Sequence, residues 1–184
     1  LLETDELIFR GEARVRIPLA SVQSVSAEDG DLVVRYPGGS MRFELGSKAA
    51  RWAERIKSPR SRLEKLGIKA GETVSVVGVP DPDFRRELAA SGARVSWGRV
   101  VRNSANIVIG VESEEDLARL PRLKEHLLPA GGIWVVHRKG KGALTDVAIF
   151  AAGKRAGLTA NKVARFSETH TAERLVIPRA LRRG

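Results

Sequence analysis

Three short clusters hold the residue types that could do chemistry. The first is Gly78-Val79-Pro80-Asp81-Pro82-Asp83, where a turn opens directly onto a helix start. Backbone N–H groups converge at such a turn and can hold a ligand, while Asp81 and Asp83 make good caps and repel phosphate. The second is Arg138-Lys139-Gly140-Lys141, cations around a flexible glycine, which reads either as an anion-binding loop or as an ordinary solvated one. The third is Ser167-Glu168-Thr169-His170-Thr171. There Glu168 could orient His170 as an acid or base, or the hydroxyls could simply hold a hairpin turn. No nucleophile accompanies this pair. The three histidines, His126, His137 and His170, follow no metal-ligand spacing, and the absence of cysteine excludes disulfides and thiolate sites.

The elements that must position these clusters follow from periodicity. Val74, Val76 and Val77 form a short β-branched run ended by Gly78, and Asp81 then Pro82 read as N-cap and first helical position. Phe84 and Leu88 mark the face of that helix, and Gly92 ends it. Residues 93–97 and 107–110 read as second and third strands. Ser113, with Asp116 three residues on, caps a helix whose buried face carries Leu117, Leu120, Leu123 and Leu127. A fourth strand spans 133–137. Thr145 caps the next helix, with Leu144 and Ile149 as a hydrophobic staple, and Gly157 ends it. Residues 162–166 and 175–177 close the pattern as a hairpin.

The first 45 residues alternate differently, as five short half-buried strands separated by Gly and Pro turns, an antiparallel meander. Ser47 is placed to cap a helix with Ala49, Trp52, Ala53 and Ile56 on one stripe, and Trp52 is a core residue on that reading. Ser58-Pro59-Arg60-Ser61 reads as the boundary, giving a domain over 1–58 and a second over 59–184. The chain opens on Leu1 and not on Met, which allows for an upstream segment. The formal charge of +10 lies wholly in the second part, with 23 Lys and Arg against 13 Asp and Glu, while the first 58 residues balance nine against nine. That favours anionic partners, nucleic acid among them, against the alternative of a scattered basic surface. No apolar run reaches the roughly 20 residues of a membrane span, and no signal peptide is recognisable, so a cytoplasmic protein is expected.

Strands closed by one amphipathic helix resemble the pleckstrin-homology-like domains of bacterial proteins over about the first 57 residues. In the second part, Leu128-Pro129-Ala130-Gly131-Gly132 before the fourth strand and Ala156-Gly157-Leu158 before the hairpin resemble the class I methyltransferase variant of the Rossmann fold, over 67–178. The expected fold is therefore an α+β antiparallel sheet with one C-terminal helix, followed by a reduced α/β Rossmann-like domain whose mostly parallel sheet ends in an antiparallel hairpin. The resemblance implies a glycine-rich loop after the first strand and an acidic residue after the second. This chain has only Gly78 in the one place and Trp97-Gly98-Arg99 in the other, and the third strand and its helix are replaced by the loop 99–105. The second part is also similar to a bacterial family with a reduced fold and no assigned reaction. That likeness rests on Leu63-x-x-Leu66-Gly67-Ile68-Lys69-x-Gly71, Val79-Pro80-Asp81-Pro82-Asp83-Phe84, Ile133-Trp134-Val135-Val136 and Phe166-Ser167-Glu168-Thr169-His170-Thr171.

In such a sheet the C-terminal ends of the parallel strands open on one edge, and the hairpin loop returns there. Gly78, Asp81, Asp83, Trp97, Arg99, Gly110, Glu112, Arg138, Lys139, Lys141, Glu168 and His170 are then the ligand-binding candidates, with the crevice between Gly78 and Gly110 as the pocket. With the cofactor motif reduced, the function expected first is a non-catalytic binding or regulatory protein for an unknown anionic ligand or protein partner. The alternatives are an S-adenosylmethionine- or nucleotide-binding enzyme with a non-standard loop, and nucleic-acid binding through the basic second part.

Overall fold

A computed structural model describes Leu2 and residues 6–10, 14–140 and 144–182. The chain forms two compact units, Leu1–Arg60 and Ser61–Gly184. In the first, β1 (Glu6–Arg10) pairs antiparallel with β2 (Arg14–Pro18), bringing Leu7 opposite Ile17. A separate sheet holds β3 (Ser24–Glu28), β4 (Asp31–Tyr36) and β5 (Gly39–Glu44). The expected single meander is thus divided. Pro18 ends β2 and a 3-10 turn over Leu19–Ser21 redirects the chain before β3 begins. Asp29 and Gly30, both at positive φ, make the tight β3–β4 turn.

Helix α1 (Ala49–Lys57) lays Ala49, Ala53 and Ile56 onto a core with Leu7, Ile17, Leu32 and Val34, and Trp52 packs at its margin. Its N-cap is Lys48, reached through a 3-10 turn over Gly46–Lys48, and Ser47 makes no cap.

The second unit begins at α2 (Arg62–Leu66), where Ser61 and Glu64 form a reciprocal capping box: Ser61 N–H donates to Glu64 at 2.7 Å and Glu64 N–H to Ser61 Oγ at 3.2 Å. Then come β6 (Thr73–Val77), α3 (Pro82–Ala90), β7 (Arg94–Trp97) and β8 (Ser104–Gly110). A 3-10 segment over Glu114–Arg119 runs into α4 (Leu120–Lys124), and β9 (Leu127–Arg138), α5 (Asp146–Arg155), β10 (Thr159–Arg165) and β11 (His170–Val176) complete the unit. Across the six-stranded sheet the order is β7-β6-β8-β9-β11-β10. The first four strands are parallel, and β11 runs antiparallel to both its neighbours. The chain reverses its progress across the sheet between β6 and β8, which makes that gap the topological switch point.

Both faces of the sheet are covered. One buries Ile107, Ile109, Ile133, Val135 and Leu175 against α4 and α5, the other Val76, Val108 and Trp134 against Phe84, Leu88 and Leu66. Trp134 is fully buried and its indole N–H donates to Leu66 O at 2.9 Å. The six residues from Gly98 to Asn103 cross from β7 to β8 without a helix. A buried hydroxyl pair holds them: Ser75 Oγ and Ser104 Oγ lie 2.9 Å apart, Val101 N–H donates to Ser75 and Ser104 donates to Val101 O.

The four expected leucines are all buried, but the helix stops at Lys124, and Leu127 already pairs with Ser104 in β9. The ladder then slips and resumes at Gly132 opposite Asn106. Gly131 sits inside this irregularity, where an added Cβ would lie 2.8 Å from Ala105 O. No helix among the described residues is long and apolar enough to cross a membrane.

Candidate functional site

The site grows from the exit of β6. Val77 pairs with Ile109, so the next residue of each strand comes side by side, and both are glycine. Gly78 takes a left-handed φ of +69°, and an added Cβ on Gly110 would stand 1.8 Å from Gly78 O. Only glycine at 110 lets the two strand ends meet. Helix α3 then starts as its sequence dictates, with Asp81 accepting from Phe84 N–H at 2.8 Å and Pro82 at the first position. On the other side, Asp116 accepts from the N–H groups of Glu112 and Ser113 at 3.0 and 3.2 Å, and Arg119 donates to Gly110 O. Those bonds fix the loop after β8.

Above the two glycines lies a cavity of about 800 Å³, a volume usual for small-molecule sites. Its walls are the Gly78–Asp83 loop, Gly110 to Glu112, and the hairpin turn from Arg165 to His170. Arg62 binds the walls to one another. Its guanidinium donates to Asp81 at 2.9 Å, to Glu87 at 2.8 and 3.0 Å and to Phe166 O at 3.1 Å, and it lies over the rings of Phe84 and Phe166. Burial opposes the charge on Asp81, but the Phe84 N–H and then the Arg62 guanidinium outweigh it and hold the carboxyl below its usual range. Asp81 is therefore a structural anion, already satisfied. The carboxylates of Asp83, Glu112 and Glu168 are exposed at the rim, where Asp83 pairs with Arg86 one turn on.

The crevice brings together Gly78, Asp81, Asp83, Gly110, Glu112, Glu168 and His170. Within the turn, Thr169 Oγ1 and His170 Nδ1 are 2.8 Å apart, and His170 N–H donates to Ser167 Oγ. These hydroxyl contacts, rather than Glu168, orient the imidazole.

Trp97 and Arg99 do not reach the crevice. Arg85 covers the Trp97 ring at 4.6 Å, and Arg99 O accepts from Ser96 as the chain turns away beyond β7. Arg138 and Lys139 line a different cavity, and the Lys139 ammonium donates to Ser167 O at 2.9 Å, so neither of these two cations lines the crevice. Lys141 lies outside the described residues. Among those described, no three His, Asp or Glu side chains are grouped to hold a metal. The residues that sequence reasoning missed are Arg62, Arg165 and Phe166. Of these only Arg62 left a local signal, its place just inside the Ser61–Glu64 capping box.

The chain matches no protein-family model and no curated protein sequence. It is similar in structure to an S-adenosylmethionine-dependent O-methyltransferase from Thermotoga maritima, at 10% identity and a TM-score of 0.50, over 97% of this chain and 95% of that one. A TehB-like methyltransferase from Corynebacterium glutamicum is similar at 11% identity and a TM-score of 0.40, over 70% and 95%. A methyltransferase from Pyrococcus furiosus follows at 16% and 0.41, over 65% and 83%. The expectation of a non-catalytic binding or regulatory protein is corrected here, since the T. maritima structure that matches nearly the whole chain is that of a methyltransferase. With the T. maritima enzyme matched along nearly its whole length, the mixed sheet and its flanking helices have a methyltransferase-like Rossmann fold.

Proposed function

We propose that residues 61–184 form a methyltransferase-type domain that takes S-adenosylmethionine in the Gly78–Gly110 crevice through a non-standard, proline-stiffened loop. The observation that carries this reading is the placement of an acid-rimmed cavity of about 800 Å³ at the switch point between β6 and β8. Its charge separates the cofactor from a nucleotide. Asp83 at the start of α3, with Glu112 and Glu168 opposite, repels phosphates and suits a ligand carrying ammonium and sulfonium groups. S-adenosylmethionine supplies an electrophilic methyl group. For the chain's part, Gly78 and Gly110 keep side chains out of the floor, Glu112 and Asp83 accept from cationic and hydroxyl donors, and Arg62 holds the hairpin wall to the loop. In the same proposal, residues 1–58 serve as a pleckstrin-homology-like accessory module, supported by two small antiparallel sheets closed by α1.

Isothermal titration tests the reading. S-adenosylmethionine is expected to bind and ATP to give no heat. Glu112→Gln should weaken binding about ten- to a hundredfold, the worth of one charge-assisted hydrogen bond at roughly 1.5–3 kcal/mol. Equal binding of ATP, or an affinity indifferent to Glu112→Gln, refutes the acidic-crevice argument. No binding of S-adenosylmethionine refutes the assignment itself.

A further inference from the structure

The flank of β7 carries charge that the crevice does not use. Val95 and Trp97 pack onto the core beneath α3, and Arg94, which begins the strand, is exposed. Arg94 stands beside Thr73 and Trp97 beside Val76, so the strand spans about 10 Å from its first residue to its last. From its C-terminal end the chain returns without a helix. Gly98, at a left-handed φ of +74°, donates its N–H to Val76 O at 2.8 Å, and Ser96 Oγ donates to Arg99 O at 3.1 Å. Val101 N–H then reaches Ser75, which is level with Ser96, and Asn103 at a φ of +60° turns the chain into β8. The return therefore runs back along β7, with Arg99 by its C-terminal end and Arg102 towards its start. Helix α3 adds Arg85, whose guanidinium lies over the Trp97 ring at 4.6 Å.

Arg85, Arg94, Arg99 and Arg102 are all exposed, and among the described residues no carboxylate pairs with any of them. The acids closest along the chain are engaged elsewhere. Asp81 and Glu87 hold Arg62, Asp83 holds Arg86, and Glu72 accepts from the Lys69 N–H and the Asn106 amide. Four like charges along so short a strand repel one another within the fold and attract a polyanion. All four are arginine, whose planar fork matches phosphate oxygens. Arg85 adds a second kind of recognition: with one side on Trp97, the other side of its guanidinium is a plane on which a nucleobase stacks. An acidic peptide supplies charge for the four cations and no flat group for that plane.

We propose that the β7 flank binds single-stranded nucleic acid, with Arg94, Arg99 and Arg102 on successive phosphates and a base stacked on the Arg85–Trp97 pair. The assignment stands on these surface groups alone, whatever occupies the crevice.

Fluorescence anisotropy of the whole chain with a fluorescein-labelled oligothymidylate tests it. Four phosphate contacts give the logarithm of the binding constant a slope of about −3 against log salt, so binding should weaken about fiftyfold between 50 and 200 mM NaCl. Arg99→Gln combined with Arg102→Gln should bring that slope to about half. Arg51→Gln combined with Arg55→Gln, which removes the same charge from exposed positions on α1, should leave it unchanged. Arg85→Lys keeps the charge and loses the plane, and should weaken binding about three- to tenfold. No binding at low salt overturns the proposal, as does a slope that both double variants change equally. Competition by oligoglutamate as strong as that by unlabelled oligothymidylate reassigns the flank to an acidic protein segment and overturns it too. An Arg85→Lys protein that binds as wild type overturns the stacked base, and with it the choice of a single strand.

Discussion

Replacing Arg62 by alanine should loosen the second unit by several kcal/mol. The side chain is 13% exposed, and its partners differ in depth, Asp81 at 23% and Glu87 at 41%. Removing one member of a buried pair costs about 3–5 kcal/mol, whereas an exposed pair is worth about 0–1 kcal/mol. Asp81 keeps its cap to Phe84 N–H after the change, and solvent reaches Glu87, so the ionic loss belongs near the middle of that span, about 2 kcal/mol. The guanidinium also leaves two aromatic faces, 5.2 and 4.9 Å from the ring centroids, and the Phe166 carbonyl, adding about 1 kcal/mol. Together these give about 3 kcal/mol, or a fall in Tm of roughly 6–12 °C for a chain of this size. Urea denaturation followed by the fluorescence of buried Trp134 measures it. Arg62→Lys should recover little, because an ammonium cannot reproduce the fork to Asp81 and Glu87. A loss below about 0.5 kcal/mol for Arg62→Ala refutes the view that this residue binds the crevice walls together.

Three further outcomes are expected. The Asp81 carboxyl has a lower pKa folded than unfolded, so its stabilisation is present above an unfolded pKa near 3.9 and disappears as pH falls through the folded value; Asp81→Asn should destabilise at pH 7 and match wild type at pH 2, read from denaturant midpoints. Glu173 has the opposite sign, its folded pKa being raised, so its cost is absent below the unfolded value and grows as pH rises toward the folded one. Glu173→Gln should therefore raise Tm at pH 8 and leave it unchanged near pH 3, and a uniform shift at both would count against burial as the cause. Gly110→Ala forces a methyl group onto Gly78 O and should cost about 3 kcal/mol or more and abolish ligand binding in the crevice, while Gly140→Ala, with open space around it, should cost only its backbone strain of about 1 kcal/mol.

What sequence alone revealed of this site was what is local. The cap at Asp81, the proline after it and the glycine ending β6 act within six residues, and their types dictate the turn whatever surrounds it. The same holds for Thr145 and Ile149 at the start of α5. Contacts set by register were illegible. Arg62 finds Asp81, Glu87 and Phe166 at separations of 19, 25 and 104 residues, and nothing in the spacing of charges predicts that convergence. His137 and Glu173 meet only because β11 slots between β9 and β10 in one register. Trp97 and Arg99 were misplaced for a related reason: the rim argument follows strand ends, while the chain beyond β7 drops at once along the short Ser75–Ser104 crossing. The N-terminal strands had the right alternation, but alternation does not say where one sheet stops, and Pro18 with the turn after it does.

The helix-free passage from β7 to β8 also determines what the sheet shows to other molecules. With no strand beyond it among the described residues, β7 is an outer strand of its sheet, the kind of margin that can recruit an extended segment from another chain. It is only four residues long, begins at exposed Arg94 and ends at Trp97 beneath the Arg85 guanidinium. Brevity and positive charge together make this margin a poor template for strand addition, so the chain dispenses with a crossover helix without acquiring a sticky edge.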